Sequence, residues 1–356
     1  MSGPGNEGRG GGAGAGGPRA MVLGCSGPVL TETERRFFQD TDPLGFILFA
    51  RNCVTPDQVR ALVRDLRDSV GRADACVLID QEGGPVARLK PPHWRAAPAA
   101  ARFAELARPQ AGGAERAADA ARLNARLIAW ELTDLGVTVN CAPVLDVPQP
   151  GADPIIGDRA AGDTPALAAR LGRAACEGFL DGGVLPVLKH IPGHGRATVD
   201  SHLALPVVDA SWEDLEEVDF APFRAMNTMP WAMTAHVVYR AVDDSRPATT
   251  SAPVIEKAIR GAIRFDGVLM SDDLSMQALK GGLDRRTDAA LAAGCDLVLH
   301  CNGDMAEMEA VAAACSRLSE AARARLERAE GMRRPPQPLD REGARARLEE
   351  LLEGTP

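Results

Sequence analysis

The chain has 356 residues, of which 45% are hydrophobic, and its formal net charge is −9. This length supports one large core, and the acidic balance excludes nucleic-acid binding through a basic surface. No apolar stretch reaches the ~20 residues of a membrane span, and the Gly-rich first twenty residues lack a signal peptide's apolar segment. We therefore expect a disordered tail over 1–20 and a cytoplasmic protein whose eight cysteines are reduced.

Eight short apolar runs recur along the chain, and runs of this length are typical of strands buried on both faces of a parallel sheet. In chain order they are AMVLGC (20–25), GFILFA (45–50), ACVLID (75–80), VTVNCAPVLDV (137–147), VLPVLKH (184–190), WAMTAHVVY (231–239), GVLMSDD (267–273) and CDLVLHC (295–301). Eight such runs are the number that a closed barrel of parallel strands requires.

Helix-like segments lie between these runs. The clearest, 164–183, begins with the N-cap signal Thr164 and Pro165 and ends in a Gly pair, while two others close on Gly136 and Gly261. Alternating strands and helices predict the α/β class and a (β/α)8 TIM-type barrel as one domain over 21–317. A helical, charged appendage follows over 318–356. A doubly wound open sheet is the alternative, but GCSGP (24–28) lacks that fold's glycine fingerprint.

Polar side chains end several of the predicted strands, where barrel enzymes place their chemistry. They are Asp80, Lys189, His190, His236, Asp272, Asp273 and Asn302. Each has a structural alternative: Asp80 suits a solvated turn, and His236 suits a hydrogen-bonded core position. We interpret Asp273 as a cap of the next helix and Asp272 as a functional residue. Together these positions favour a site at one end of the barrel.

The segment KHIPGHGRATVDSH (189–202) holds three of the six histidines. His190 and His194 have a zinc-like spacing, but Pro192 and two glycines prevent a regular helix, so we predict no metal. Asp200 and His202 would share a face of an extended segment, where the carboxylate could orient the imidazole. An Asx-type turn carrying a surface histidine remains the alternative reading of that pair.

Several ordered motifs resemble the bacterial β-N-acetylglucosaminidases of glycoside hydrolase family 3. They run from about Met21 to past Asn302 and comprise GFILFARN, IDQEGG, NCAPVLDV, IIGDR, KHIPGHG, DSH, MTAHVVY, GVLMSDDLSM and AGCDLVLHCN. The resemblance implies a (β/α)8 barrel that acts on a small saccharide or muropeptide in peptidoglycan recycling, without a cofactor and without membrane or nucleic-acid partners. We expect a monomer.

The resemblance also assigns site residues. It makes Asp272 the nucleophile and His202 the general acid/base, assisted by Asp200. Its substrate-binding positions fall on Asp80, Arg88, Arg159, Lys189 and His190. His194 stays unassigned, and we expect it to make a loop-structuring hydrogen bond.

Two positions depart from the family pattern: Pro85 stands where an Arg commonly follows EGG, and Ile191 replaces a usual Phe, a smaller change because both are apolar. Arg88 keeps its spacing, so we expect the sugar contacts to be retained.

The implied chemistry is that of a retaining exo-glycosidase, in which a carboxylate attacks the anomeric carbon and a second group exchanges the proton. The expected substrate is GlcNAc linked to 1,6-anhydroMurNAc, with or without peptide, and we expect the glycines of the 189–202 segment to let it close over the sugar. A glycoside phosphorylase is the main alternative, because a histidine acid/base would not repel phosphate. A non-catalytic sugar-binding barrel and a metal-dependent hydrolase rank below it.

Overall fold

The protein is described by a computed structural model over residues 17–108 and 112–353. The strands in these residues are β1 (Arg19–Leu23), β2 (Pro43–Leu48), β3 (Cys76–Ile79), β4 (Val139–Asn140), β5 (Leu185–Ile191), β6 (Val207–Val208), β7 (Trp231–Thr234), β8 (Val238–Tyr239), β9 (Val268–Asp273) and β10 (Leu297–His300). Eight of them close into a parallel barrel in the order β1-β10-β9-β7-β5-β4-β3-β2, and β6 pairs with β8 outside it. The predicted α/β class and (β/α)8 barrel are confirmed.

Two of the eight apolar runs contain less barrel strand than predicted. In 137–147 only Val139–Asn140 is strand, because Pro143 has no N–H to donate to a ladder. The run 231–239 divides into β7, which lies in the barrel, and β8, which leaves it to pair with β6. Residues 1–16 of the predicted tail lie outside the described residues, and β1 begins at Arg19.

The α-helices of the described residues surround the barrel. They are α1 (Glu32–Thr41), α2 (Pro56–Ser69), α3 (Ala100–Leu106), α4 (Gly113–Asp134), α5 (Pro165–Asp181), α6 (Trp212–Asp214), α7 (Phe220–Ala225), α8 (Leu283–Ala293), α9 (Met305–Ala314), α10 (Glu320–Met332) and α11 (Arg341–Glu353). Short 3₁₀ turns cover Ala50–Asn52, Gly157–Arg159 and Ala248–Thr250, and π-type hydrogen bonding covers Leu215–Asp219 and Val254–Ala262.

The predicted helix signals mostly hold. Pro165 is the first residue of α5, and the Thr164 side chain accepts a hydrogen bond from the Leu167 amide at 3.3 Å. Gly136 follows α4 with φ +82°, a conformation that glycine adopts without a Cβ penalty. The segment expected to stop at Gly261 instead continues through it to Ala262 and is wound with π-type hydrogen bonds.

The last two helices pack onto the barrel domain. Arg325 of α10 donates to Asp296 at 2.8 Å, next to the start of β10. Helix α11 buries one face against α4 and α3, with Ala344, Leu348 and Leu351 in a shared apolar cluster. In residues 17–108 and 112–353, no helix is long and apolar enough to cross a membrane. All eight cysteines are unpaired.

Candidate active site

A buried ion-pair network lies at the carboxyl ends of β3 and β5. Lys189, whose side chain is 3% exposed, places Nζ 2.9 Å from Oδ1 of Asp80 and 2.6 Å from Oε1 of Glu82. The Arg159 guanidinium holds Glu82 through two parallel bonds of 3.0 and 2.9 Å, and Arg88 donates to Asp80 at 3.1 Å. Four of the five predicted substrate-binding residues are therefore joined in one chain of contacts.

The charges of this network stabilise one another. Burial alone would raise the pKa of Asp80 and of Glu82, but the Lys189 ammonium and the neighbouring guanidinium groups lower both. Burial alone would lower the pKa of the Lys189 ammonium, yet Asp80 and Glu82 together raise it. All three groups are consequently charged at neutral pH, which makes this end of the barrel a set of fixed, strong hydrogen-bonding groups.

Asp146 organises two histidines, His190 near the end of β5 and His194 just after it. Its carboxylate is fully buried, lies 2.7 Å from Nδ1 of His190 and accepts the His194 amide at 2.6 Å. Although burial tends to raise it, the pKa of Asp146 is lowered by His190 and by the hydrogen bond from His194. An ionised Asp146 accepts a hydrogen bond from Nδ1–H of His190, which fixes the tautomer and leaves Nε2 of that ring for a ligand.

The predicted nucleophile, Asp272, is the second-last residue of β9 and is half-buried. Its Oδ1 accepts the Asp273 amide at 2.8 Å. Burial tends to raise the pKa of Asp272, but His236 and His190 lower it, so the carboxylate is ionised and available to attack carbon. His236 is held by Thr249 at 2.7 Å and by the Asp273 carbonyl at 3.0 Å, the hydrogen-bonded core position that was its structural alternative.

Asp273 has a different role from the one predicted. It caps no helix, since α8 begins ten residues later at Leu283. Its carboxylate instead accepts bonds from the amide and hydroxyl of Ser275 and from the Cys301 amide, so it closes the turn after β9 and ties it to β10. Asn302 also lies outside the site, because it is exposed and binds Glu307 and the Asp304 amide.

Asp200 and His202 form a pair, but not in an extended segment. Oδ1 of Asp200 accepts the His202 amide at 2.8 Å and lies 2.7 Å from Nδ1 of the same residue, so the pair sits in an Asx-type turn. The His202 side chain is 58% exposed. The Asx-type turn is therefore confirmed and the extended segment was wrong, while the predicted contact between the carboxylate and the imidazole is present within the turn.

The structure does not bring the pair into contact with Asp272. Within residues 17–108 and 112–353, no hydrogen bond or ion pair joins Asp272 to Asp200 or His202. The loop that carries the pair is linked to the site through His194, whose Nε2 lies 3.1 Å from the Ser201 hydroxyl. The predicted loop-structuring hydrogen bond of His194 is thus confirmed.

The glycines of this loop anchor its base. A Cβ on Gly193 would meet Asp219 at 2.9 Å, and one on Gly195 would lie 2.0 Å from the Val147 carbonyl oxygen. They therefore permit close backbone packing at the base of the loop. The closure over a sugar that the sequence suggested stays a prediction. Further support comes from Tyr239, whose hydroxyl donates to the Gly193 carbonyl at 2.6 Å.

The departure at Pro85 is accommodated in a turn. Pro85 is exposed, and the turn is closed by the Glu82 and Gly83 amides, which both donate to the Val86 carbonyl. Beyond it, Arg88 reaches Asp80 and stacks on the Phe49 ring with its guanidinium 4.8 Å from the centroid. The predicted position of Arg88 at the site is therefore compatible with Pro85.

Sequence reasoning missed two residues that organise this site, Glu82 and Asp146. Glu82 bridges Lys189 and Arg159, and Asp146 holds both His190 and His194. Both are visible in the sequence: Glu82 lies two residues after Asp80 in DQEGG, and Asp146 lies near the end of the apolar run 137–147 in PVLDV. Within the two described ranges, no group of three or more His, Cys, Asp or Glu side chains is placed to hold a metal ion.

Comparison with known proteins identifies the family. The Glycosyl hydrolase family 3 N terminal domain matches residues 29–331. The chain belongs to this family. It is 38% identical over 292 residues to a beta-hexosaminidase of Alkalilimnicola ehrlichii, covering 79% of this chain and 80% of the relative. It is 37% identical over 315 residues to a beta-hexosaminidase of Pseudomonas aeruginosa, covering 88% and 91%.

A solved structure supports the same family assignment. The crystal structure of NagZ from Neisseria gonorrhoeae in complex with N-trifluoroacetyl-D-glucosamine superposes with a TM-score of 0.82 at 31% identity. The match covers 95% of this chain and 98% of that one. The family predicted from the motifs, and with it the glycoside hydrolase class, is confirmed.

Proposed function

We propose that the protein is a retaining exo-β-N-acetylglucosaminidase that removes terminal β-linked GlcNAc through a covalent glycosyl-enzyme. The enzyme is a glycoside hydrolase of the β-N-acetylhexosaminidase type, as its family and its curated relatives indicate. The observation that carries the finer proposal is the placement of an ionised Asp272 beside the Asp80–Lys189–Glu82–Arg159 network at one end of the barrel.

In the first step, an Asp272 oxygen attacks the anomeric carbon while the bond from that carbon to the aglycone oxygen breaks. The leaving oxygen takes the pair of electrons from that bond and receives a proton. Because His236 and His190 hold Asp272 in its ionised form, no base is needed to activate it. In the second step, water loses a proton and attacks the same carbon, which releases Asp272.

His202 is the proposed proton carrier for both steps. Burial tends to raise the pKa of Asp200, but the His202 amide and ring lower it, so Asp200 stays ionised and can only accept a hydrogen bond. The proton on Nδ1 of His202 therefore points at Asp200, and Nε2 exchanges the proton with the aglycone oxygen and then with water. Since His202 is exposed, the proposal requires its loop to bring Nε2 over the bound sugar.

The ion-pair network supplies the contacts to the sugar. Asp80, Lys189, Arg88 and Arg159 are charged groups fixed by one another, and such groups form strong hydrogen bonds to hydroxyls without reorganising. His190 offers Nε2 beside them. NagZ from Neisseria gonorrhoeae was solved in complex with N-trifluoroacetyl-D-glucosamine, a glucosamine derivative, which supports a sugar of this class as the ligand of this chain.

The aglycone we propose is 1,6-anhydroMurNAc, with or without peptide, as in cell-wall recycling. This part of the proposal rests on the resemblance of the motifs and on the structural neighbours named NagZ. We also propose that the enzyme is cytoplasmic and monomeric and that its partner is a small saccharide or muropeptide.

The experiment that tests the proposal is release of p-nitrophenol from p-nitrophenyl β-N-acetylglucosaminide. Wild type and Asp272→Ala are compared in phosphate and in a neutral zwitterionic buffer. The proposal expects turnover that does not depend on phosphate and falls on the order of 10⁴-fold in the variant. A rate that rises with phosphate, with formation of a sugar 1-phosphate, would establish phosphorolysis instead. Absence of turnover in the wild type would refute the sugar assignment.

A further inference from the structure

A pocket is formed by loops that follow the strands β5, β8 and β9. It has a volume of about 260 Å³ and is lined by three segments of chain: Leu205, residues 245–250 and residues 278–289. We call it the basic pocket, because its lining contains Arg246, Lys280, Arg285 and Arg286 and no acidic side chain. None of these four cations belongs to the ion-pair network described above.

Each wall of the basic pocket continues from an element of the site. Leu205 follows the turn that holds Asp200 and His202. Thr250 adjoins Thr249, whose hydroxyl holds His236. The third wall follows Asp272 and Asp273, and the Arg286 guanidinium ties it in place by donating to the carbonyls of Leu274 and Met276. The pocket therefore opens among the loops that carry the proposed nucleophile and the proposed acid/base.

The structure accounts for one of the four cations only. The Arg286 guanidinium donates hydrogen bonds to backbone carbonyls, including that of Gly281 at 2.9 Å. Arg246, Lys280 and Arg285 are exposed, and within residues 17–108 and 112–353 none of these three takes part in an ion pair. The acidic residues of α8, Asp284 and Asp288, are exposed and lie outside the lining of the pocket.

The position of Arg285 is unfavourable locally. It lies in the first turn of α8, where the helix end carries partial positive charge and acidic side chains are preferred. Three like charges around one small cavity also repel each other. The chain as a whole is acidic, so this local repulsion between cations stands out. An anion that enters the cavity would offset its cost in stability.

We infer that the basic pocket binds a carboxylate of the aglycone while its sugar neighbour occupies the site at Asp272. This inference rests on the proposed function and adds to it the residues that select an acidic aglycone. The two forms of the proposed substrate carry such a group in different places. The disaccharide without peptide has a free lactyl carboxylate, whereas in the form with peptide the lactyl carboxyl is an amide and the free carboxylates belong to the peptide. Both present the same chemistry to Arg246, Lys280 and Arg285, namely a carboxylate that accepts charge-assisted hydrogen bonds.

The test uses the double variant Lys280→Glu/Arg285→Glu with four substrates. These are neutral p-nitrophenyl β-N-acetylglucosaminide, GlcNAc-1,6-anhydroMurNAc, the same disaccharide with its carboxyl group converted to the methylamide, and the disaccharide with its peptide. Arg323→Glu, an equally exposed charge reversal on α10, is the matched control.

We expect kcat/KM of the double variant to fall about tenfold for the acidic disaccharide and to change less than about twofold for the two neutral substrates. Arg323→Glu should leave all four values unchanged. In wild type, added salt should lower kcat/KM for acidic substrates only, because mobile ions screen exposed charges. A fall confined to the disaccharide without peptide would place the bound carboxylate on the lactyl group, and a fall confined to the peptide-bearing substrate would place it in the peptide. A fall for both would show that the pocket accepts either carboxylate.

Equal effects of the double variant on neutral and acidic substrates would overturn the inference, as would an unchanged kcat/KM for every acidic substrate. These results differ from failure of the proposed function itself. That failure would show as a wild-type enzyme that does not release p-nitrophenol from the neutral substrate.

Discussion

Removal of the Lys189 ammonium tests the ion-pair network most strongly. In Lys189→Met the side chain keeps a similar length, but Asp80 and Glu82 lose the cation that lies between them at 2.9 and 2.6 Å. Two buried carboxylates then face each other with only Arg88 and Arg159 to balance them. Breaking a buried ion pair by removing one partner costs about 3–5 kcal/mol.

That cost translates into a measurable melting shift. Unfolding entropy of ~2.1 cal/mol/K per residue gives about 0.7 kcal/mol/K for a chain of this size, so Tm should fall by about 4–7 °C at pH 7.5. Differential scanning calorimetry measures it, and the exposed Lys280→Met serves as the control, with an expected shift below about 1 °C.

The loss of stability in Lys189→Met should depend on pH. In wild type the folded pKa values of Asp80 and Glu82 are lowered, so their contribution to stability is present above the unfolded values near 4 and is lost as pH falls through the folded values. In Lys189→Met the folded pKa values of both carboxyls rise, and their protonation relieves the penalty. The difference in Tm should therefore be largest at pH 7–8 and shrink towards pH 5. A difference that stays constant over this range would refute the electrostatic reasoning.

Two further predictions concern the histidines. His202→Ala should lower kcat on GlcNAc-1,6-anhydroMurNAc about 10²- to 10⁴-fold. The glycosylation rate on the p-nitrophenyl glycoside should fall much less, because p-nitrophenolate leaves without a proton. Equal losses in the single-turnover rates of the two substrates would contradict the acid role. Asp146→Asn should raise KM more than it lowers kcat and reduce Tm, because the amide cannot accept as strongly from both His190 and the His194 amide; steady-state kinetics and calorimetry check this, and an unchanged KM would count against it.

Much of the fold could be predicted from the sequence because each barrel strand is buried on both faces and reads as a short apolar run. The prediction was wrong where an apolar run also served another purpose. Pro143 shortens β4, and Val238–Tyr239 is apolar because it pairs with Val207–Val208 outside the barrel. Hydrophobicity reports burial, and it does not report which neighbour a strand pairs with.

The candidate site was harder to predict than the barrel. Polar residues after strands indicated where the site lies, yet the bridging role of Glu82 and the central role of Asp146 depend on contacts over 107 and 44 positions of sequence. The turn at Asp200–His202 was open to two interpretations because spacing alone does not separate an extended pair from an Asx-type turn. Roles in catalysis depend on where a substrate binds, and they stay predictions.

The most direct test of the central claim is to trap the glycosyl-enzyme. The enzyme is incubated with 2-acetamido-2-deoxy-5-fluoro-β-glucosyl fluoride, digested with a protease and analysed by mass spectrometry. Fluorine next to the ring oxygen slows both steps, and the reactive fluoride leaving group lets the first outrun the second. The account predicts a single sugar adduct on the peptide that contains Asp272 and none in Asp272→Ala. An adduct on another carboxylate, or turnover without any adduct, would contradict the assignment of Asp272 as the nucleophile.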